Sequence, residues 1–322
     1  MAEVEATHAV PAPPEDRDEE NVVVDPAVCV YCISDIKCRR YHAYKEGRYL
    51  FPNDERENDR LDMHHALIRV VMKDRLFFSP IGDSPGRVID LCTGTGIWAI
   101  EFADLFPSAE FLVSRLHSNK CRVPPNVKFI IDDVEDEWGY ENDPFDFIHA
   151  RYLTGTLKNM PRLLEQSFAC LKPGGWAEFQ DWDAMVQSAD DSTKDTSIEQ
   201  YFLNTLPAFE SAGYSTRPGR YLEKWMKDAG FVNIQVHKHI VPLGTWAKDK
   251  RYKTIGAYNL LQFEESLEAS AVAALTRFQN WSKTEVDILI AKTKQDARNP
   301  KIHPIFHFYV VFGQKPGKPN TD

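Results

Sequence analysis

The stretch Arg87-Val88-Ile89-Asp90-Leu91-Cys92-Thr93-Gly94-Thr95-Gly96-Ile97-Trp98 constrains this chain more than any other. Its apolar, β-branched start reads as a strand over 87–91. Two glycines one residue apart then turn the chain into a helix over 97–106. Glycine at 94 and 96 lets the backbone approach a ligand closely, because no Cβ stands in the way. The helix that follows offers free N–H groups and the positive end of its dipole to an anionic group. Such a turn suits a nucleotide-like cofactor at the carboxyl end of the first strand. A tight strand-to-helix turn without a ligand is the plainer reading, and G-x-G alone does not separate the two.

After this turn, short apolar runs alternate with helical stretches. Strands are expected over 109–114, 127–131, 145–150 and 175–181, with a helix over 159–171. Leu171-Lys172-Pro173-Gly174-Gly175 marks a helix end and turn. Alternation at these lengths predicts βαβ units and a mostly parallel, doubly wound sheet. Upstream, the pattern from 41 to 81 is helical, with Leu61, His65, Ile68 and Met72 on one stripe and Asn53 or Asp54 available as N-cap. Downstream, a helix over 221–229 is closed by Gly230 and followed by a strand over 231–237. The stretch 254–294 is helical, with Ser282-Lys283-Thr284-Glu285 as a capping box at an internal start. A last strand is expected over 307–312.

Composition narrows the function. The chain has 322 residues and a formal net charge of −10, which argues against a broad phosphate-binding surface and so against nucleic acid as partner. No apolar run approaches the roughly 18 residues of a membrane span. The first 26 residues hold eight carboxylates, one arginine and four prolines, which reads as a disordered acidic tail over 1–28 rather than a signal peptide. Such a tail suits protein partners, or only solvation. Cys29, Cys32 and Cys38 cluster just beyond it, but a zinc site needs a fourth ligand and the nearest histidine is His42. Ordinary buried or free thiols are the reading, with no metal. The cysteine usage and the lack of a readable signal point to a cytoplasmic protein.

Motifs taken together go further than the glycine turn. Position 99 is alanine, so the spacing departs from the dinucleotide fingerprint. It resembles instead the acidic-x-x-x-Gly-x-Gly loop of class I S-adenosylmethionine-dependent methyltransferases. Ile131-Asp132-Asp133-Val134 looks like the loop after the third strand, and Phe145 to Arg151 like the fourth strand. Tyr41 to Asp54, Asp59 to His65, Val123-Pro124-Pro125-Asn126, Asp136-Glu137-Trp138 and Arg298 to His303 resemble blocks of the fungal LaeA-like methyltransferases. The likeness covers about residues 41 to 316.

The resemblance implies an α/β, Rossmann-like class I methyltransferase fold. Its seven-stranded, mostly parallel sheet carries helices on both faces and a helical substrate cap. The implied division is a helical segment over 29–85, a cofactor-binding core over 86–185, and cap helices with the final strands over 186–316. The implied function is methyl transfer from S-adenosylmethionine to a small molecule of fungal secondary metabolism. Two alternatives stand beside it: a regulator acting through protein partners, which would allow a nuclear location, and a cofactor-impaired relative.

The resemblance also nominates residues. Asp90 would orient the glycine loop or receive the methionine ammonium, with Gly94 and Gly96 giving close backbone approach. Asp133 would accept the adenine amino group, Val134 would pack beside it, and Tyr41 would close over the cofactor. His64, His65 and His149 are candidate bases because imidazole titrates near neutrality. Arg151 is a candidate for a substrate carboxylate, or a surface ion pair. Aromatic walls are expected from Trp182, Tyr201, Phe202, Trp246, Tyr258 and Phe263. One position departs from the family: the second strand runs into Arg115 where an acid would hold the ribose. Losing a charged acceptor costs about 1.5–3 kcal/mol per bond, so affinity would drop by roughly one to three decades. Cys92, where glycine is common, is a milder change.

Overall fold

The computed structural model describes residues 33–35, 39–41, 49–115 and 124–318, giving backbone alone for the first two segments, Arg115 and Ile131. The acidic tail and the thiols of Cys29, Cys32 and Cys38 lie outside the described residues. The chain opens with a two-stranded antiparallel pair, β1 (Ile33–Asp35) and β2 (Arg39–Tyr41), followed by α1 (Glu55–Val71). Then come β3 (Arg87–Leu91), α2 (Ile97–Leu105), β4 (Glu110–Arg115), β5 (Val127–Ile131) and β6 (Phe145–Arg151). They are followed by α3 (Met160–Ala169), β7 (Leu171–Gln187), α4 (Ser197–Ser211) and α5 (Leu222–Ala229). The chain closes with β8 (Val232–Pro242), α6 (Lys250–Phe278), α7 (Lys283–Ala297) and β9 (Ile305–Gln314).

Seven strands form one sheet in the order β5-β4-β3-β6-β7-β9-β8. The pairs from β5 to β7 are parallel, and β9 runs antiparallel between β7 and β8. The chain moves outward from β3 to β5 and then returns to place β6 on the other side of β3. This is a topological switch point, where open α/β sheets leave a crevice beyond the strand ends.

Strand periodicity builds the layers. Side chains alternate faces, so Val88, Phe111 and Phe147 meet Trp98 and Phe102 of α2 on one side. Ile89, Ile148 and Phe179 meet Leu163 of α3 and Met226 of α5 on the other. A third cluster joins Leu67, Ile68 and Val71 of α1 to α4, α6 and α7. Full burial of such side chains is worth about 1.5–3 kcal/mol each. The exposed Arg56 pairs with Glu265 and Glu268 on α6 add at most about 1 kcal/mol each. Packing therefore holds α1 in place.

Several boundaries differ from the sequence reading. Among the described residues of the 41–81 region, helix spans 55–71, where Asp54 caps through Glu57 N and Lys73 and Asp74 end it with φ of 56° and 61°. The long 254–294 stretch is two helices, parted at Asn280 (φ 56°), and the Ser282–Glu285 box starts the second as expected. Helix α4, not singled out from the pattern, carries Pro207 inside it but has a proper Thr196 cap. No helix among the described residues is long and apolar enough to cross a membrane.

The approach of α6 to the turn after β8 requires glycine. A Cβ on Gly256 would stand 1.9 Å from the Gly244 carbonyl oxygen, whose own N–H donates to Gly256 O at 3.0 Å. In an open helix Gly→Ala would stabilise by about 1 kcal/mol. Here the clash reverses the sign, and Gly256→Ala should destabilise by about 2 kcal/mol or more. Urea unfolding checks this, and an unchanged midpoint would contradict the close approach.

Candidate active site

A cleft of about 1320 Å³, counting its open mouth, lies at the switch point. Its floor is the turn from Asp90 to Thr95 and the first turn of α2. One side is the loop from Asp132 to Glu135 and another the segment from His149 to Leu157, while Tyr49, Phe51, Arg60, Leu61 and His64 form the roof. The turn packs Cys92, Gly94 and Gly96 into left-handed backbone, with φ of 55°, 62° and 85°. Glycine adopts this freely, whereas Cys92 holds it at a cost of about 1–3 kcal/mol. Thr93 N donates to Ser114 O at 3.1 Å, and Thr95 Oγ1 donates to Asp62 Oδ1 at 2.7 Å, tying the turn to β4 and α1. A Cβ at Gly94 would meet only Leu61, at 3.4 Å.

Of the residues nominated from sequence, Asp90, Gly94, Asp133, Val134, His64, His149 and Arg151 line the cleft. Gly96 does not; it shapes the turn as the left-handed N-cap of α2. Tyr41 lies in β2 and Arg115 ends β4, but their side chains, like all of residues 116–123, lie outside the described residues. The loop after β5 is ordered by Asp133, whose Oδ1 accepts from Glu135 N at 3.1 Å. It is anchored at Val134 O, which accepts from the Trp138 indole at 3.0 Å.

The three histidines have different surroundings. His149 is fully buried, with Nδ1 2.7 Å from Asp90 Oδ1, its ring stacked on Trp98 at 3.5 Å and 4°. A carboxylate only accepts, so Nδ1 donates to Asp90, and Nε2 has no hydrogen-bond partner among the described residues. His64 Nε2 accepts from the Trp182 indole at 2.9 Å, and its ring stacks on Tyr152 at 4.0 Å. Burial, then the nearby Arg151, hold His64 well below the usual imidazole range. It is a neutral ring whose proton sits on Nδ1.

His65 does not line the cleft. Its Nδ1 accepts from Arg151 Nη2 at 2.9 Å, and Nε2 lies 3.2 Å from Glu101 without hydrogen-bond alignment. Burial, reinforced by Arg151 and Arg69, lowers it to about 3, so it is neutral and the Glu101 contact is no ion pair at neutral pH. Arg151 is thus a cleft residue committed to His65, not a surface ion pair. Burial lowers its guanidinium to about 10.

Sequence reasoning named His64 of the roof but missed the charged pair beside it. Arg60 and Glu57 pair in full burial at 2.6 Å, and Arg60 Nη1 donates to the Tyr152 hydroxyl at 3.2 Å. The helical i, i+3 spacing of opposite charges was the available signal. Asp181, also missed, accepts from Leu153 N at 2.7 Å, Trp182 N at 2.8 Å and Thr154 Oγ1 at 2.5 Å. Burial nevertheless raises it to about 6.

A second cavity of about 780 Å³ opens under the cap and shares Phe51, Tyr152 and Thr154 with the cleft. Trp182, Tyr201, Phe202 and Phe263 line it as expected. Trp246 and Tyr258 do not. The Trp246 indole is spent on Leu243 O at 2.9 Å, and Tyr258 faces outward at 39% exposure. Among the described residues, no group of three His, Cys, Asp or Glu side chains is arranged to hold a metal.

The buried neutral histidine gives a pH prediction. The folded value of His65, about 3, lies below its ordinary 6.5, so the unfolded chain binds a proton that the folded chain refuses. Stability is therefore full above pH 6.5 and falls as pH drops toward 3. His65→Gln keeps an acceptor for Arg151 and should flatten the fall in unfolding free energy by about one proton. Denaturant titrations across that window read the slope; an unaltered slope would refute a neutral His65.

With the geometry in place, comparisons with known proteins extend it. A family model described as a methyltransferase domain matches residues 63–236. The methyltransferase pytC of Aspergillus terreus is 39% identical over 281 residues, covering 86% of each chain. The secondary metabolism regulator LAE1 of Cochliobolus heterostrophus is 32% identical over 291 residues, covering 86% of this chain and 93% of that one. Among solved structures, Haemonchus contortus phosphoethanolamine N-methyltransferase 2 aligns at 19% identity with a TM-score of 0.44. That alignment covers 84% of this chain and 54% of that one, about half its length. On the matched residues and these identities, the chain belongs to the methyltransferase-domain family.

Proposed function

We propose that this chain is an S-adenosylmethionine-dependent methyltransferase that modifies a small molecule of fungal secondary metabolism. The observation that carries the reading is a glycine-turn cleft at the switch point that shares Phe51, Tyr152 and Thr154 with an adjacent aromatic cavity. The cleft has room over Gly94, and among the described residues side-chain hydrogen bonding to Asp90 reaches Oδ1 alone, so the residues present fit an adenosyl sulfonium carrying an ammonium. Asp90 would take the ammonium, the turn from Cys92 to Thr95 the nucleoside, and Asp133 with Val134 the adenine. Bound there, the cofactor supplies a methyl group on positively charged sulfur for in-line displacement.

The chain's own contribution is placement. Proximity and orientation supply about 7–11 kcal/mol of barrier lowering. Among the three candidate bases, His64 spends its lone pair on Trp182 and His65 spends its own on Arg151. His149 keeps an unpartnered nitrogen, so a proton lost by the acceptor would go there, with Asp90 orienting the ring. Such an enzyme works in the cytoplasm.

Relatives named as secondary metabolism regulators support a second reading, a regulator acting through protein partners, in the nucleus. The higher identity to pytC favours the enzyme. Comparing metabolites with and without the protein separates the two. A compound shifted by one methyl group supports the enzyme, and loss of many unrelated products supports the regulator.

Calorimetry with S-adenosylmethionine tests the cofactor. Asp90→Asn and Asp133→Ala should each weaken binding by about tenfold or more, the loss of one charge-assisted contact. No heat at millimolar cofactor would defeat the reading. Arg115→Asp should tighten binding by about tenfold if that position faces the ribose; unchanged affinity would remove Arg115 from the account.

A further inference from the structure

The cavity under the cap has a chemical preference of its own. None of its lining residues is Asp, Glu, Lys, Arg or His, so a charged ligand would lose its hydration and find no counter-charge. Its walls are rings: Phe202 lies 6.1 Å from Phe263 at 29° and 5.3 Å from Phe306 at 64°. A planar apolar body fits such walls.

The polar groups of the wall fix the rest. Thr154 donates to Asp181, Trp182 to His64, Tyr201 to Leu267 O, Thr205 to Tyr201 O, Ser266 to Phe263 O and Ser270 to Ser266 O. Thr216 donates to Glu210, so these donors are spent on the protein, and the Tyr152 hydroxyl accepts from Arg60. One buried amide oxygen of the wall has no donor among the described residues. Asn259 Nδ2 donates at 2.8 Å to Pro242 O, a carbonyl that can only accept, which fixes the orientation of that amide. Asn259 Oδ1 must then accept from Gln262 Nε2, at 2.9 Å, which fixes the second amide in turn. Gln262 therefore turns Oε1, and not its amide nitrogen, away from Asn259, in a side chain only 8% exposed, and that oxygen has no donor among the described residues. A buried carbonyl oxygen left unpaired is costly, and native interiors rarely leave one.

We propose that this cavity takes an uncharged aromatic compound bearing a hydroxyl or N–H, which it donates to Gln262 Oε1. The inference rests on the methyl-transfer reading in treating this ligand as the methyl acceptor. The hydrogen bond selects the compound by its donor and the rings select it by its planarity. Discrimination against a missing donor is strong when the site's own polar group is then left unpaired.

The test uses the full chain and calorimetry, with and without S-adenosylhomocysteine, and four probes: naphthol, naphthalene, methoxynaphthalene and naphthoate. Naphthol should bind at least about fivefold tighter than naphthalene or methoxynaphthalene, the worth of one buried hydrogen bond, and naphthoate should bind weakest. Gln262→Leu should erase the advantage of naphthol while leaving S-adenosylhomocysteine affinity unchanged, with a lower Tm because Asn259 Oδ1 loses its donor; Gln262→Met serves if the leucine variant does not fold. Equal affinities in the wild-type chain, as expected if a water satisfies Gln262, overturn the proposal. So does a preference that survives both substitutions. Discrimination without any S-adenosylhomocysteine binding would keep this ligand class and sink methyl transfer. Cofactor binding without discrimination would do the reverse.

Discussion

Everything in the cleft depends on the buried contact between Asp90 and His149. A carboxylate at 2% exposure cannot stand alone, because leaving a buried acceptor without its hydrogen bond costs about 1–3 kcal/mol, more when it is charged. The parallel register of β3 and β6 sets the two residues side by side, and the 2.7 Å bond fastens the strand ends. The imidazole then lies flat on Trp98, in the first turn of α2, so the same contact orients the helix that the glycine turn opens. Strand end, turn and helix start are one unit. The crevice beyond β3 and β6 has a rigid floor for that reason.

The roof is fastened by buried polar contacts rather than by surface charge. Glu178 of β7, fully buried, accepts from Phe78 N, Ser79 N and Ser79 Oγ, at 2.8, 2.8 and 2.7 Å, and so fixes the chain between α1 and β3 to the sheet. The Trp182–His64 bond fixes α1 itself to the far end of β7. Exposed pairs such as Arg298–Glu264 are worth about 0–1 kcal/mol each and do not decide the arrangement. A side chain such as Glu178, with three donors converging on one oxygen, does.

The sheet was legible from sequence because its information is local. Val88 to Leu91 or Phe145 to Ala150 state their strand by apolar β-branched content, and Gly94 and Gly96 state the turn by what glycine alone tolerates. Capping at Ser282 and the stop at Gly230 are likewise one-residue signals. The parts that were not legible depend on distant partners. His65 sits on the apolar stripe of α1 just as expected of a core residue, yet its protonation is set by burial and then by Arg151, far along the chain. Nothing local separates His64, a cleft residue, from its neighbour; one helical step of 100° decides which faces the cavity. The end of α1 at Lys73 and Asp74 is a left-handed turn that neither residue type announces.

The junction between the two cavities holds a strained aromatic residue. Tyr152, a bulky residue, is held at φ 61°, a conformation that costs about 1–3 kcal/mol and persists only where the surroundings enforce it. Three contacts enforce it here: its N–H donates to Gln180 O at 2.9 Å, His64 stacks on its ring, and Arg60 donates to its hydroxyl. A relaxed backbone would redirect the ring that forms part of the wall between cofactor cleft and cap cavity. Transfer of a methyl group along a line of centres tolerates little misplacement, and an ångström lost can cost a hundredfold in rate. Strain at this one residue, enforced by the α1 roof, is therefore consistent with a site that works by alignment. It also explains why a buried ion pair, Arg60–Glu57, is built into a helix that packing alone would have held.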